Sequence, residues 1–376
     1  MGKFYDYLRH VKAMGVTMLH LPKYLKIMDE AHEKGNLRYL SDADYKSWRD
    51  SFRAMLCHTY LIRSELMPQY FAAADIKTLH KSSAPLKPDD LVCVVVAKDV
   101  LTRLQLFVEH GRKIGVDRFA ILDNGSGQEV LDWLTAQPDV DLYHTDEAFQ
   151  TIRKDSWVNR ILSLYGRNRW YLQLDTDELP VYFGMETHSV KDVIKWLEGQ
   201  NLTCAKGIML DMFAKEKLFH DCPTPDSIRE NFPYFDPTTF FDVKTFGIPL
   251  KKGGPRTRLF GYPQMLAKHP LYYLGDIGIT IDSHFQWPYR SARVTPYIFG
   301  LLHYKYIDAD RDEFLARAKK GNFASGSAAY KAFSKYYAEH PDMTLYSENS
   351  ARYEGIESLK KVGFIRDVWT KGEKRP

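Results

Sequence analysis

Two short acidic turns are the places in this 376-residue chain where residue type and spacing are suited to chemistry. Asp175-Thr176-Asp177-Glu178 follows the run Trp170-Tyr171-Leu172-Gln173-Leu174, and Asp123-Asn124-Gly125-Ser126 follows Phe119-Ala120-Ile121-Leu122. Carboxylates spaced i, i+2 behind a strand can hold a divalent cation and leave positions open for phosphate oxygens, which suits Mg²⁺ or Mn²⁺. Standing alone, a D-x-D is more often a solvated turn. Here an apolar strand leads into it and a second acidic turn comes one β-α-β unit earlier. Ligands of open parallel sheets bind outside the carboxyl ends of the strands, and both turns fall there.

The elements that must position these turns are legible as a change of texture along the chain. Residues 1 to about 80 read as helices, with a candidate N-cap at Ser41-Asp42 ahead of the periodic run Tyr45, Trp48, Phe52, Met55, Leu56 and Tyr60. A polar, proline-bearing linker covers 81–90. Leu91 to Ala97 is then a continuous run rich in valine, the pattern of a strand buried on both faces. Helix and strand patterns alternate through helices at about 101–114, 128–136, 147–165 and 189–199. The strands between them lie near 119–122, 140–143, 170–174 and 207–210. That order predicts an α/β fold with a doubly wound, mostly parallel sheet flanked by helices, the 207–210 strand lying beside the 170–174 strand. Residues 214 to about 300 read as loops and short strands, and 307–340 and 351–362 as helices. The expected division is a helical region and linker at 1–88, a main domain at 89–306 and a helical extension at 307–376.

Composition narrows the function classes. Lys and Arg number 52 against 48 Asp and Glu, a net charge of +4. Residues 1–26 and 359–376 each carry +4, so the body between them is at −4. An acidic body with no recognised motif argues against nucleic acid as a partner. Four scattered cysteines without a C-x-x-C pair fit a reducing compartment, with Cys93 and Cys204 as core residues. No window reads as a spanning helix. The expectation is a cytoplasmic protein, with the basic N-terminal segment either lying on an anionic leaflet or forming a lid or dimer element.

In order along the chain, several segments resemble the GT-A nucleotide-sugar domain of bacterial family 2-like glycosyltransferases. They are Val94-Val95-Val96-Ala97-Lys98-Asp99, His110 to Asp117, Asp123-Asn124-Gly125-Ser126 and Trp170 to Glu178. The likeness continues through Gly253 to Gly261, Lys268-His269-Pro270-Leu271 and Gly300 to Tyr306. The resemblance covers about 90–340. It implies a metal-dependent, inverting glycosyltransferase that uses a nucleotide-sugar donor and a glycan or glycolipid acceptor of the surface polysaccharide or lipopolysaccharide type. The expected location is the cytoplasm, with peripheral contact at the cytoplasmic face of the inner membrane as the alternative that the basic N-terminal segment leaves open. By the same resemblance Asp123 contacts base or ribose beside Asn124, Asp175 and Asp177 form the DXD pair, and Asp177 coordinates Mn²⁺ or Mg²⁺ under the donor diphosphate. Two departures bear on donor identity. Asp99-Val100 stands where the family has Asn-Glu, so Asp99, next to Lys98, is the expected replacement carboxylate. Gly127-Gln128 stands where a second acidic residue belongs.

Further candidates follow from the same frame. His303 is a late histidine placed to be a third metal ligand, its competing reading being a core histidine. Lys305, two residues on and so on the same strand face, and Arg256, in the basic glycine turn 251–258, are expected at donor phosphates. That turn also reads as a hairpin with solvated charges. Attack by an acceptor hydroxyl needs a proton acceptor. Asp211, after the 207–210 strand, is the first candidate, with Glu178 and Asp276 behind it; ordering a loop is the other reading of Asp211. Two alternatives stay open: a nucleotidyltransferase on a similar sheet, and a catalytically silent sugar- or nucleotide-binding relative.

Overall fold

The computed structural model describes residues 76–370, except 246–247, 276–278, 283, 288–289 and 322. It also describes positions 22, 25, 26, 29, 30, 33 and 46 of the N-terminal region. The helices expected over 1–75 otherwise lie outside the described residues. At the end of that region the structure corrects the helical reading, since Lys77–His80 is a strand, β1. The segment after it is pinned rather than free: the Ser82 backbone N–H donates to Asp141 at 2.8 Å.

The alternation that follows builds one large sheet. In chain order the elements are β2 (Val92–Ala97), α1 (Leu101–Lys113), β3 (Arg118–Asp123), α2 (Gln128–Thr135), β4 (Val140–His144) and α3 (Thr151–Tyr165). Next come β5 (Arg169–Gln173), β6 (Glu178–Val181), α4 (Val190–Gly199) and β7 (Cys204–Asp211). Beyond them are α5 (Pro225–Asn231), β8 (Tyr234–Phe235), β9 (Phe240–Thr245), β10 (Ile248–Gly253), α6 (Gly254–Phe260), β11 (Gln264–Met265) and β12 (Ala267–Leu274). The hairpin β13 (Ile279–Asp282) and β14 (Phe285–Trp287), α7 (Arg290–Val294) and β15 (Tyr297–His303) follow, then α8 (Arg311–Lys320), α9 (Ala324–Glu339) and β16 (Ala351–Arg352).

The sheet order is β1-β4-β3-β2-β5-β12-β7-β15-β6. Strands β2, β3, β4, β5, β7 and β15 run one way; β1, β12 and β6 run against them. The mostly parallel α/β reading therefore stands, with one correction. Strand β7 does not neighbour β5, because β12 is inserted between them. Pro270 hides β12 in the sequence, since proline lacks a donor and rarely enters a central strand. The register shifts between Lys268 and Leu271, and that irregularity accommodates it.

Alternation within strands explains why both faces are covered. Cys93 and Val95 of β2, Phe119 and Ile121 of β3 and Leu172 of β5 enter one core with α1, α2 and α4. Val92, Val94, Ala120, Leu122 and Tyr171 enter the other, with Trp157 and Ile161 of α3 and Ile248 of β10. Cys93, Cys204 and Cys222 are buried free thiols. The aromatic-rich stretch from 232 goes mainly to packing, with Phe232 and Phe235 fully buried and Phe241 exposed. The 351–362 segment is not a continuous helix: β16 pairs with β8, and a 3-10 helix covers Ile356–Val362. Among the described residues, no helix is long and apolar enough to cross a membrane.

Strand direction is what gathers the chemistry. At one edge lie the carboxyl ends of β2, β3, β5, β7 and β15, carrying Asp99, Asp123, Asp175, Asp211 and His303. The antiparallel strands start at that edge, so Glu178, the first residue of β6, and Lys268, the second of β12, arrive there too.

Candidate functional site

A cleft of about 910 Å³ opens at this edge, walled on the far side by Phe314 and Arg317 of α8 and Tyr330 and Phe333 of α9. The extension after residue 307 is thus part of the site.

At its centre is a group of possible metal ligands. One ligand atom each from Asp177, Glu178 and His303 lie within 4.8 Å of one another. Register produces this group, because His303 is paired across the sheet with Glu178 on one side and Asp211 on the other. The His303 ring is held in a fixed orientation: Nδ1 is 2.6 Å from Asp211 Oδ1, which leaves Nε2 facing Asp177 Oδ2 at 3.2 Å. The other Asp211 oxygen accepts from Arg256 Nε at 2.7 Å. Burial alone would raise the Asp211 carboxyl, but Arg256 and His303 overcome it and hold it far below the usual carboxylate range. Burial would likewise raise Asp177; His303 and Lys305, the latter at 3.7 Å, hold it well below. Burial opposes the charge on His303 too, but Asp177 and Asp211 prevail and raise its pKa.

The expected site residues separate into those that meet and those that do not. Asp177, His303 and Lys305 converge. Asp175 lines the same cleft but faces cations, with Lys268 Nζ at 2.7 Å on one oxygen and Lys154 Nζ on the other. Lys268 also reaches Glu178 at 2.5 Å. Arg256 contacts Asp211. Asp123 is buried and occupied: its oxygens accept from the Gly125 and Ser126 amides at 3.0 and 2.9 Å and lie 2.9 Å from His144 Nδ1. Asn124 spends its amide on the Thr145 and Glu147 carbonyls. These two residues build the turn they sit in. Asp99 is buried among Thr176 Oγ1, the Val100 amide and Arg103. Burial, with Asp310 adding to it and Arg103 opposing, pushes the Asp99 pKa up to about 6. Lys98 is half-exposed, 3.9 Å from Glu313. Asp276 lies outside the described residues.

The sequence reading overlooked Arg103, Lys154, Asp310 and Arg317, and gave no site role to Lys268 although it falls in one of the resembling segments. Arg103 stands four residues after Asp99 on the start of α1, an i, i+4 ion pair that spacing alone could have flagged. Arg103 also pairs with Asp310 just ahead of α8, tying that extension to the nucleus of the sheet.

No family model matches the chain, and neither does any curated protein sequence. Among solved structures it is similar to a 4-diphosphocytidyl-2C-methyl-D-erythritol synthase (13% identity, TM-score 0.25), over 34% of this chain and 62% of that one. It is also similar to a nucleotidyl transferase from Methanothermobacter (15% identity, TM-score 0.21), over 34% of this chain and 63% of that one. A third is a mannosyltransferase from Pyrobaculum calidifontis in complex with GDP-Man and Mn²⁺ (12% identity, TM-score 0.24), over 56% of this chain and 50% of that one. The chain therefore spans less than two thirds of the length of each of these three.

Proposed function

We propose that this protein is a metal-dependent glycosyltransferase, taking a sugar from a nucleotide-sugar donor to a glycan or glycolipid acceptor. The observation that carries the reading is His303. Its Nδ1 is held by fully buried Asp211, and its Nε2 points into a cluster of carboxylates at the cleft. A second carboxylate fixing the far nitrogen is what a ligating histidine requires for orientation and tautomer. The donor set of oxygens and one imidazole fits Mn²⁺ somewhat better than Mg²⁺. Asp177 and His303 would hold the ion, leaving positions for water and donor phosphate oxygens. When bound, it would act as a Lewis acid, neutralising charge on the departing nucleoside diphosphate.

The chain's own residues supply the rest. Lys268, Lys154 and Lys305 place fixed positive charge where the diphosphate would lie, and Asp175 keeps two of these ammonium groups in position. An acceptor oxygen bonds to the anomeric carbon as the carbon–phosphate oxygen bond breaks, the electron pair leaving with the diphosphate. The hydroxyl proton goes to a carboxylate. Glu178 lines the cleft and Asp211 does not, so we give that role to Glu178 and treat Asp211 as positioning His303.

The cleft cations favour a second reading. Lys154, Lys268 and Arg103 come from three elements and Lys305 from the loop just after β15; together they could grip a triphosphate without a glycine-rich loop after β2, so a nucleotidyltransferase answers the same site. Product analysis decides between the two. With Mn²⁺ and a panel of nucleotide sugars and nucleoside triphosphates, the first reading expects nucleoside diphosphate to be released and the second pyrophosphate. Metal-dependent nucleotide binding by calorimetry is expected in wild type and lost in Asp177→Ala; if wild type binds none of the diphosphates UDP, GDP and dTDP nor the monophosphate CMP, the glycosyltransferase reading fails.

A further inference from the structure

Most cations lining the cleft have a carboxylate within 4.0 Å, as Arg103, Lys154, Lys268 and Lys305 show. Arg317 has none among the described residues. Its guanidinium lies against three rings instead, 5.8 Å from the centroid of Phe314, 5.3 Å from Phe323 and 5.6 Å from Tyr330. Nη1 donates to the Tyr330 hydroxyl at 3.2 Å, and Nε is buried with no hydrogen-bond partner. Arg317 is half-buried, its three flanking rings supply quadrupole attraction, and Asp177 and Asp310 favour its charge only from beyond salt-bridge distance, so the guanidinium edge has no close anion among the described residues. Lys305 adds to the local positive field: it sits over the same Phe314 and Tyr330 rings, at 5.5 and 5.8 Å. Burial would raise the Tyr330 phenol pKa, but Lys305 and Arg317 prevail and lower it. Because Lys305 is also 3.7 Å from Asp177, this wall adjoins the metal cluster rather than forming a remote patch.

We propose that Arg317, with the Phe323 and Tyr330 rings, is a subsite for an acidic sugar, binding a carboxylate or phosphate substituent while the rings cover an apolar sugar face. The proposal rests on the glycosyl-transfer reading and adds the class of sugar to it. The acidic sugar is either the group being transferred or the acceptor residue, both having the same anion on a pyranose ring. Bidentate pairing to the planar fork is the chemistry that selects arginine over lysine for such an anion, and aromatic faces suit the sugar's C–H surface.

The full-length protein saturated with Mn²⁺ and UDP, the nucleotide replaced by whichever diphosphate binds best, is titrated with D-glucuronate, D-glucose 6-phosphate and neutral D-glucose. Binding is followed by competition and by calorimetry. Either acidic sugar is expected to bind at least tenfold tighter than glucose. Arg317→Met should erase that preference, Arg317→Lys should keep part of it, and nucleoside diphosphate affinity should move less than threefold in either variant. Tyr330→Phe, which keeps the ring, should retain the preference, and nucleotide affinity within threefold of wild type shows that the Arg317 variants are folded. Equal affinity for glucose and the acidic sugars overturns the proposal. So does a preference that survives Arg317→Met, or a tenfold loss of nucleotide affinity in that variant, which would place Arg317 at the donor phosphates. A UDP-glucuronate against UDP-glucose pair, tested for competition with UDP, assigns the anion to the donor if only the acidic donor gains from Arg317, and otherwise to the acceptor. Metal-dependent nucleotide binding is read separately: its absence with the acidic-sugar preference intact sinks the glycosyltransferase reading and leaves the subsite standing.

Discussion

At the scale of single residues, the site is organised by partners that consume one another. Asp211 uses both oxygens, one on His303 and one on Arg256, and thereby aims the imidazole at Asp177. Loss of this orienting carboxylate should weaken Mn²⁺ by about 10–100-fold in Asp211→Asn, while Asp177→Ala removes a proposed ligand and should abolish measurable binding. Manganese titration followed by electron paramagnetic resonance checks both. Equal affinity in Asp211→Asn and wild type would show that His303 needs no second carboxylate. Glu178→Gln keeps the shape but cannot accept a proton, so turnover should fall by about 10²-fold or more with metal affinity reduced far less. A parallel loss of both would make Glu178 a metal ligand rather than the proton acceptor.

At the scale of elements, a glycine turn sets Arg256. Gly253 has φ +126°, and a Cβ there would lie 2.2 Å from the Thr239 carbonyl oxygen, so no side chain fits between β10 and α6. Gly253→Ala should cost roughly 3 kcal/mol of stability. The control is Gly127→Ala, where nothing lies within 4 Å and the cost should stay under about 1 kcal/mol. Urea midpoints of the two variants test the contrast; similar values would mean the turn yields. The Arg103–Asp310 pair fastens the extension that carries α8 and α9. Asp310→Asn should reduce stability by about 1–3 kcal/mol and speed proteolytic cleavage ahead of α8, and unchanged cleavage would mean that aromatic packing alone holds the wall.

At the scale of the whole molecule, pH sensitivity follows from two histidines locked inside. Burial lowers the pKa of His110, whose Nε2 is 2.7 Å from the Pro180 carbonyl oxygen, to about 4, and burial lowers His269 to about 4 as well. Both pKa values are depressed relative to the unfolded chain. The unfolded state therefore binds more protons between pH 6.5 and 4, and stability is fully present above pH 6.5 and lost as pH falls toward 4. Each histidine contributes at most roughly 3 kcal/mol to that loss. His110→Gln keeps a donor for Pro180 and should flatten the fall in urea midpoint between pH 7 and 4.5. A fall parallel to that of wild type would remove His110 as its source.

Local chemistry accounts for how much of this was readable in advance. Continuous valine-rich runs and short turns specify strands buried on both faces, so β2, β3 and β5 and the helices between them could be placed from one-dimensional patterns alone. An acidic turn after such a strand already marks the edge where ligands bind, which put Asp175 and Asp177 at the cleft. Which of the two would meet a histidine was beyond any local pattern. It depends on β15 and β6 pairing in a register that sets His303 against Glu178, and on β12, concealed by Pro270, delivering Lys268 to Asp175. Nor did helical periodicity over 307–340 say that one face of that hairpin would wall the site with Arg317. Periodicity reports that a face is apolar, whereas the surface it covers is chosen by long-range packing and charge pairs such as Arg103–Asp310, whose partners lie some two hundred residues apart in the chain.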